Sequence, residues 1–141
     1  MQAFEPQPSM TEYLQQANDS LITMVQIETR EALELVDEIA PLVDVLFVGP
    51  FDLGNNIGHP VIDGVIQPEL DAAITKVLEA AKKADKRAGI YCTSGEQAKH
   101  FADRGFHMIH VATDITALTA VMADTLAIAK GEAKPASKGS Y

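Results

Sequence analysis

Apolar residues fall into two rhythms along this chain. Four short runs are continuously apolar or alternate with period two: residues 21–27 (LITMVQI), 43–48 (VDVLFV), 88–92 (AGIYC) and 106–112 (FHMIHVA). Such runs read as strands. Longer stretches repeat apolar residues every three or four positions, the spacing of one helix face. Residues 30–40 carry Leu33, Val36 and Ile39, and Pro41 is expected to end that helix. Residues 68–84 carry Leu70, Ile74, Val77, Leu78 and Ala81. A helix capped by Thr93 or Ser94 faces Ala98, Phe101 and Ala102 inward and stops at Gly105. Residues 115–130 carry Leu118, Val121, Met122 and Leu126. Ahead of these, Ser9-Met10-Thr11-Glu12 is a capping-box pattern that predicts a short helix to about Ala17, broken by Asn18-Asp19-Ser20.

Strand and helix therefore alternate four times. Such connections make parallel strands with right-handed crossovers, and the fold class is α/β. Residues 1–20 read as an arm with a short helix, 21–130 as the α/β domain, and 131–141 as a polar, disordered tail. A flavodoxin-like sheet is the alternative to a barrel arrangement, and strand order separates the two.

Two carboxylates stand where strands end. Glu28 follows the first run, and Asp52 follows the second across Gly49-Pro50-Phe51. If the strands are neighbours, both acids emerge at the carboxyl end of the sheet, where α/β folds bind ligands. Paired carboxylates repel unless a cation or proton lies between them. An oxygen-only pair suits Mg²⁺ or Mn²⁺ better than zinc. Spacing alone leaves a second reading open: Glu28 as a helix-start carboxylate and Asp52 as the cap of a turn.

The remaining features change the picture less. Residues 51–67 read as a long loop, and His59 within it reads as structural. Lys82, Lys83, Lys86 and Arg87 favour a helix C-terminus and read as solvated. His107 and His110 fall on opposite faces of the fourth run and share no metal site there. Asp114 reads as the N-cap of the last helix. The one cysteine, Cys92, reads as buried and inert. A net charge of -9 argues against nucleic acid and anionic membranes as partners. With no long apolar run, no secretory pattern in MQAFEPQPSM and no internal disulfide, the expected location is the cytoplasm. No P-loop, Gly-x-Gly-x-x-Gly or Ser-centred elbow appears.

Three segments carry a family resemblance: VQIETREAL, DVLFVGPFDLG, and the stretch ending in Gly58-His59-Pro60. Together they resemble the HpcH/HpaI aldolases, metal-dependent class II pyruvate aldolases of the phosphoenolpyruvate/pyruvate barrel superfamily. The similarity runs over about residues 24–129. It implies half of a TIM (β/α)₈ barrel, with the four units matching strands five to eight. It implies that Glu28 and Asp52 bind a divalent metal (Mg²⁺, Mn²⁺ or Co²⁺). It further implies that Gln26 contacts pyruvate and that Gly49, Pro50, Phe51 and Asp52 receive the pyruvate carboxylate. The implied reaction is reversible aldol cleavage of a 4-hydroxy-2-oxo acid to pyruvate and an aldehyde. The family takes an enolate-stabilising arginine and a histidine–aspartate acid/base pair from the first four strands. Neither has a counterpart here, so no catalytic residue is assigned, and weak or absent activity is expected of this chain alone. A noncatalytic half-barrel that binds metal and an oxo acid, or that serves only in assembly, is the alternative. A homo-oligomer is expected, through an exposed sheet face formed by Met24, Val45 and Phe47 or through exchange of the last helix.

Overall fold

The computed structural model describes residues 9–132. The expected arm at 1–8 and most of the expected tail at 131–141 lie outside them. Four strands, β1 (Met24–Ile27), β2 (Val45–Val48), β3 (Arg87–Tyr91) and β4 (Met108–His110), form one sheet in the order β1-β2-β3-β4. All three pairings are parallel, with Met24 opposite Val45, Val48 opposite Ile90 and Tyr91 opposite His110. Each strand lies beside the next in the chain, so the sheet never reverses direction. That is barrel winding; a flavodoxin-like order would have a switch point.

Helices follow every strand. Seven are present among the described residues: α1 (Met10–Ser20), α2 (Arg30–Glu34), α3 (Val36–Ile39), α4 (Pro50–Ile57), α5 (Pro68–Lys83), α6 (Gly95–Arg104) and α7 (Asp114–Ala129). The sheet buries one face against them. Ile27, Leu46, Val48, Ala88 and Ile90 meet Val36, Leu70, Ile74, Val77 and Phe101 in a single apolar cluster. Each fully buried aliphatic side chain contributes about 1.5–3 kcal/mol. The five apolar positions expected on α5 are all buried.

Several local expectations are corrected. The capping box at Ser9 and Glu12 forms, with Ser9 N donating to Glu12 Oε2 at 2.8 Å. The helix nonetheless continues to Ser20, because Asn-Asp-Ser weakens a helix by only a few tenths of a kcal/mol per residue. The single helix expected over 30–40 divides at Leu35, whose ψ of 9° leaves the helical range, and Pro41 sits in a 3₁₀ turn, Ala40–Leu42. Ala102 on α6 is exposed, while Ala98 and Phe101 are buried. Thr113, rather than Asp114, caps α7: its hydroxyl accepts from Thr116 N. Asp114 takes the first helical position and accepts from Ile115 N.

The long loop expected at 51–67 is replaced at its start by α4. Pro50 occupies the first turn of that helix, where a missing N–H costs nothing. Leu53 and Ile57 bury its inner side. Gly58 ends it with φ 86°, a left-handed conformation that favours glycine. Gly54 lets the helix approach its neighbours: a Cβ there would lie 2.8 Å from the His59 carbonyl and 2.9 Å from Leu70. No helix among the described residues is long and apolar enough to cross a membrane.

Candidate functional site

The uncovered face of the sheet carries the site. Strand alternation puts Met24 and Gln26 of β1, Val45 and Phe47 of β2, Gly89 and Tyr91 of β3, and Met108 and His110 of β4 on that side. Met24 is half exposed and Phe47 partly so, but Val45 is covered, against the expectation of an exposed patch there.

At the carboxyl ends of β1 and β2 the expected acids converge. Gly49 lies between them. A Cβ on Gly49 would stand 3.4 Å from Glu28 Oε2, 3.6 Å from Asp52 Oδ2 and 3.9 Å from Gln26 Nε2. Two carboxylate oxygens within 3.6 Å of one point lie within about 7 Å of each other. Gln26 Nε2 donates to Glu28 Oε2 at 3.2 Å and so orients that carboxylate. Glu28 is half-buried, while Asp52, in the first turn of α4, is exposed. No side chain caps the N-terminus of α4, which points at the same place. A cavity of about 190 Å³ is lined by Gln26, Phe47, Gly49, Pro50, Phe51, Asp52 and Tyr91.

Every residue expected at the site is therefore beside the others. Gln26, Gly49, Pro50, Phe51 and Asp52 line the cavity, and Glu28 stands at its rim. The donor set fits a hard divalent cation: two carboxylates, no sulfur or imidazole, and a space kept open by the glycine. Among the described residues no group of three or more His, Cys, Asp or Glu side chains could hold a metal. An ion between these two carboxylates would need its remaining oxygens from water or ligand.

Tyr91 was missed at sequence level. The signal was available: counting in twos from Phe47, across the register to Gly89, leads to Tyr91 on the same face. Gly89 makes room for Phe47, since a Cβ there would lie 2.5 Å from the ring. The histidine and lysines set aside at sequence level have ion-pair partners among the described residues. His59 pairs with Glu69 at 3.6 Å. Lys82, Lys83 and Lys86 pair with Glu79, Asp37 and Asp44. Cys92 is fully buried, and burial pushes its thiol up to about 11. Both burial and the raised thiol disfavour the thiolate at neutral pH.

Comparison with known proteins is consistent with this geometry. The chain is 38% identical over 120 residues to a hydroxypyruvate/pyruvate aldolase of Rhizorhabdus wittichii, a match covering 84% of this chain and 48% of the relative. It is 37% identical over 109 residues to a 4-hydroxy-2-oxo-heptane-1,7-dioate aldolase of Klebsiella pneumoniae, covering 76% of this chain and 40% of the relative. Among solved structures, an HpcH/HpaI aldolase/citrate lyase family protein from Burkholderia cenocepacia superposes with a TM-score of 0.76 at 33% identity, covering 84% of this chain and 46% of that one. The chain thus spans about half the length of the curated relatives it matches, and its four βα units are half of their barrel. The HpcH/HpaI aldolase/citrate lyase family model matches residues 4–120, and the chain belongs to that family.

Proposed function

We propose that this chain forms the metal- and oxo-acid-binding half of a class II pyruvate aldolase, a carbon–carbon lyase acting on 4-hydroxy-2-oxo acids. The observation that carries this reading is the convergence of Glu28, Asp52 and Gln26 on the space beside Gly49. Glu28 and Asp52 would hold Mg²⁺, Mn²⁺ or Co²⁺. When bound, such an ion acts as a Lewis acid on the oxo acid, an effect of several kcal/mol in such reactions.

The chain's own residues divide the rest. Gln26 fixes the Glu28 carboxylate and lines the cavity where pyruvate would sit. The N-terminal turn of α4 brings its positive dipole end to the pyruvate carboxylate. Pro50 has no N–H, so Phe51 and Asp52 are the first residues whose amides face that way. Phe47 supplies an apolar floor that displaces water from the reacting carbon.

Turnover requires groups beyond these. The family takes its enolate-stabilising arginine and histidine–aspartate pair from strands this chain does not span. The exposed apolar positions of α7 and Met24 and Met108 on the uncovered sheet face are assigned to contacts with another copy of the chain. A cytoplasmic location fits this reading.

Two assays test the proposal. In a water-proton relaxation titration, Mn²⁺ should bind weakly alone and more tightly with pyruvate, because substrate oxygens complete the octahedron. Mn²⁺ binding that is indifferent to pyruvate would overturn it. In a pyruvate-release assay with Mg²⁺, Mn²⁺ or Co²⁺, the 141-residue chain alone should give little turnover. Robust release would show that its own residues suffice for the acid/base step.

A further inference from the structure

The cavity has an aromatic side as well as an acidic one. Phe47 occupies the space left by Gly89, and beyond it stands Tyr91. The Tyr91 ring lies flat on His110, with centroids 4.0 Å apart and planes inclined by 9°. The two residues are direct partners in the β3–β4 register. His110 is tied down at a second point: Nδ1 lies 3.1 Å from the carbonyl oxygen of Cys92, the residue after Tyr91. A carbonyl only accepts, so Nδ1 carries a proton and donates. The imidazole is thereby anchored to the strand that bears Tyr91, and it braces the phenol ring from behind.

Tyr91 stands on β3 and Glu28 follows β1, two strands away in the sheet. At the usual strand spacing this is about 10 Å. Gly49, the residue after Val48, continues the β2–β3 register beside Tyr91 at about 5 Å, so a 2-oxo acid held between Glu28 and Asp52 meets Tyr91 with the substituent beyond its keto carbon, which oxalate lacks. Phe47 and Tyr91, which line the cavity on this side, carry no formal charge.

We propose that Tyr91, held flat by His110, is the specificity-determining residue for the distal half of a 2-oxo acid and favours an uncharged tail there. Tyr91 touches the ligand; His110 is a positioning residue that acts through it. The inference rests on the reading that Glu28 and Asp52 hold the oxo-acid end through a divalent cation.

Calorimetry on the full chain in Mn²⁺ tests it with three probes: oxalate, 2-oxohexanoate and 2-oxoglutarate. Wild type should bind 2-oxohexanoate about fivefold tighter than 2-oxoglutarate, the scale of one aromatic contact. Tyr91→Ala should weaken 2-oxohexanoate about fivefold and change oxalate less than about twofold. His110→Ala should shift 2-oxohexanoate in the same direction. His110→Phe, which restores a stacked ring without the nitrogens, should recover most of the loss. Thermal melts identify any variant that fails to fold, in which case Tyr91→Phe and Tyr91→Leu replace Tyr91→Ala, the first retaining and the second losing the preference. Equal weakening of oxalate and 2-oxohexanoate, or no preference for the uncharged tail in wild type, overturns the inference while leaving the metal site standing. Absence of oxalate binding by wild type overturns the metal site, and this inference with it.

Discussion

The two faces of the sheet are made by the same strands and have opposite characters. On the covered face, Ile27, Leu46, Val48, Ala88 and Ile90 are at most 1% exposed, and none carries a polar side chain. On the other face, Met24 and Met108 are 49% and 42% exposed, and Gln26, Tyr91 and His110 interleave with Phe47. The glycines differ too. Gly49 and Gly89 both belong to the uncovered face, one keeping space between carboxylates and the other admitting an aromatic ring. One face holds the domain together through dense apolar packing. The other spends its positions on a cavity, and a strand-end carboxylate there is free of any packing duty. Stability and chemistry are separated by the parity of residue position along each strand.

That separation is breakable by mutation. Ile74→Ala, beneath the covered face and fully buried, should cost about 2–5 kcal/mol. Chemical denaturation would read this as a lowered midpoint. Met24→Ala, on the uncovered face, should fall within about 1 kcal/mol, and comparable costs from both would erase the contrast.

Cys92 sharpens the comparison chemically. Its side chain lies on the covered face, and burial raises its thiol from 9.0 to about 11. A shift of that size leaves about 100-fold less thiolate than in an unfolded chain at pH 8. Alkylation by iodoacetamide should be slower in the native protein by about that factor and become fast in denaturant. The sign for stability follows. Folding favours the protonated thiol, so this contribution is present below pH 9 and is lost as pH rises toward 11. Rapid native labelling at pH 8 would mean that the covered face is open to solvent.

The smallest effect on folding is expected at α7. Its apolar residues are exposed all round, with Leu118, Val121 and Met122 each more than 60% accessible and only Ala127 buried. The helix does not pack its stripe on its own sheet. Leu118→Lys with Met122→Lys should change the unfolding free energy of the monomer by less than about 0.5 kcal/mol. Sedimentation velocity should show the wild type associating at micromolar concentration and the double variant as a monomer. A wild type that sediments as a clean monomer would remove the assignment of this surface to another copy.

Much of this was legible in the sequence, for identifiable reasons. Period-two and period-3.6 patterns located every strand and most helices, because each element buries one side. Strand ends were less legible: residues 21–22 and 111–112 continue the apolar pattern but lie outside the strands of the sheet. The helix α4 was hidden because its signals, Pro50 at the start and Gly58 at the end, also read as loop punctuation. The convergence of Glu28 and Asp52 was readable from strand adjacency, whereas its closeness depends on Gly49, whose role is the absence of a side chain. Tyr91 was overlooked because its neighbours Ile90 and Cys92 made the whole run look like core. The exposure of α7 could not be read from periodicity, since a buried stripe and an unpartnered one have the same spacing; the expectation of exchange came from the resemblance.

The claim at the centre of this account is that Glu28 and Asp52 form one oxygen site across Gly49. Isothermal calorimetry with Mn²⁺ and oxalate, on wild type, Glu28→Gln and Gly49→Ala, tests it most directly. Glu28→Gln removes one charge and one hard ligand at a strand end and should leave the melting curve nearly unchanged. Gly49→Ala fills the space between the carboxylates at a φ of -97°, which alanine adopts without strain. The account predicts a measurable heat for wild type, none for Glu28→Gln, and a weakened response for Gly49→Ala. Equal heats from wild type and Glu28→Gln, with both proteins folded, would contradict it.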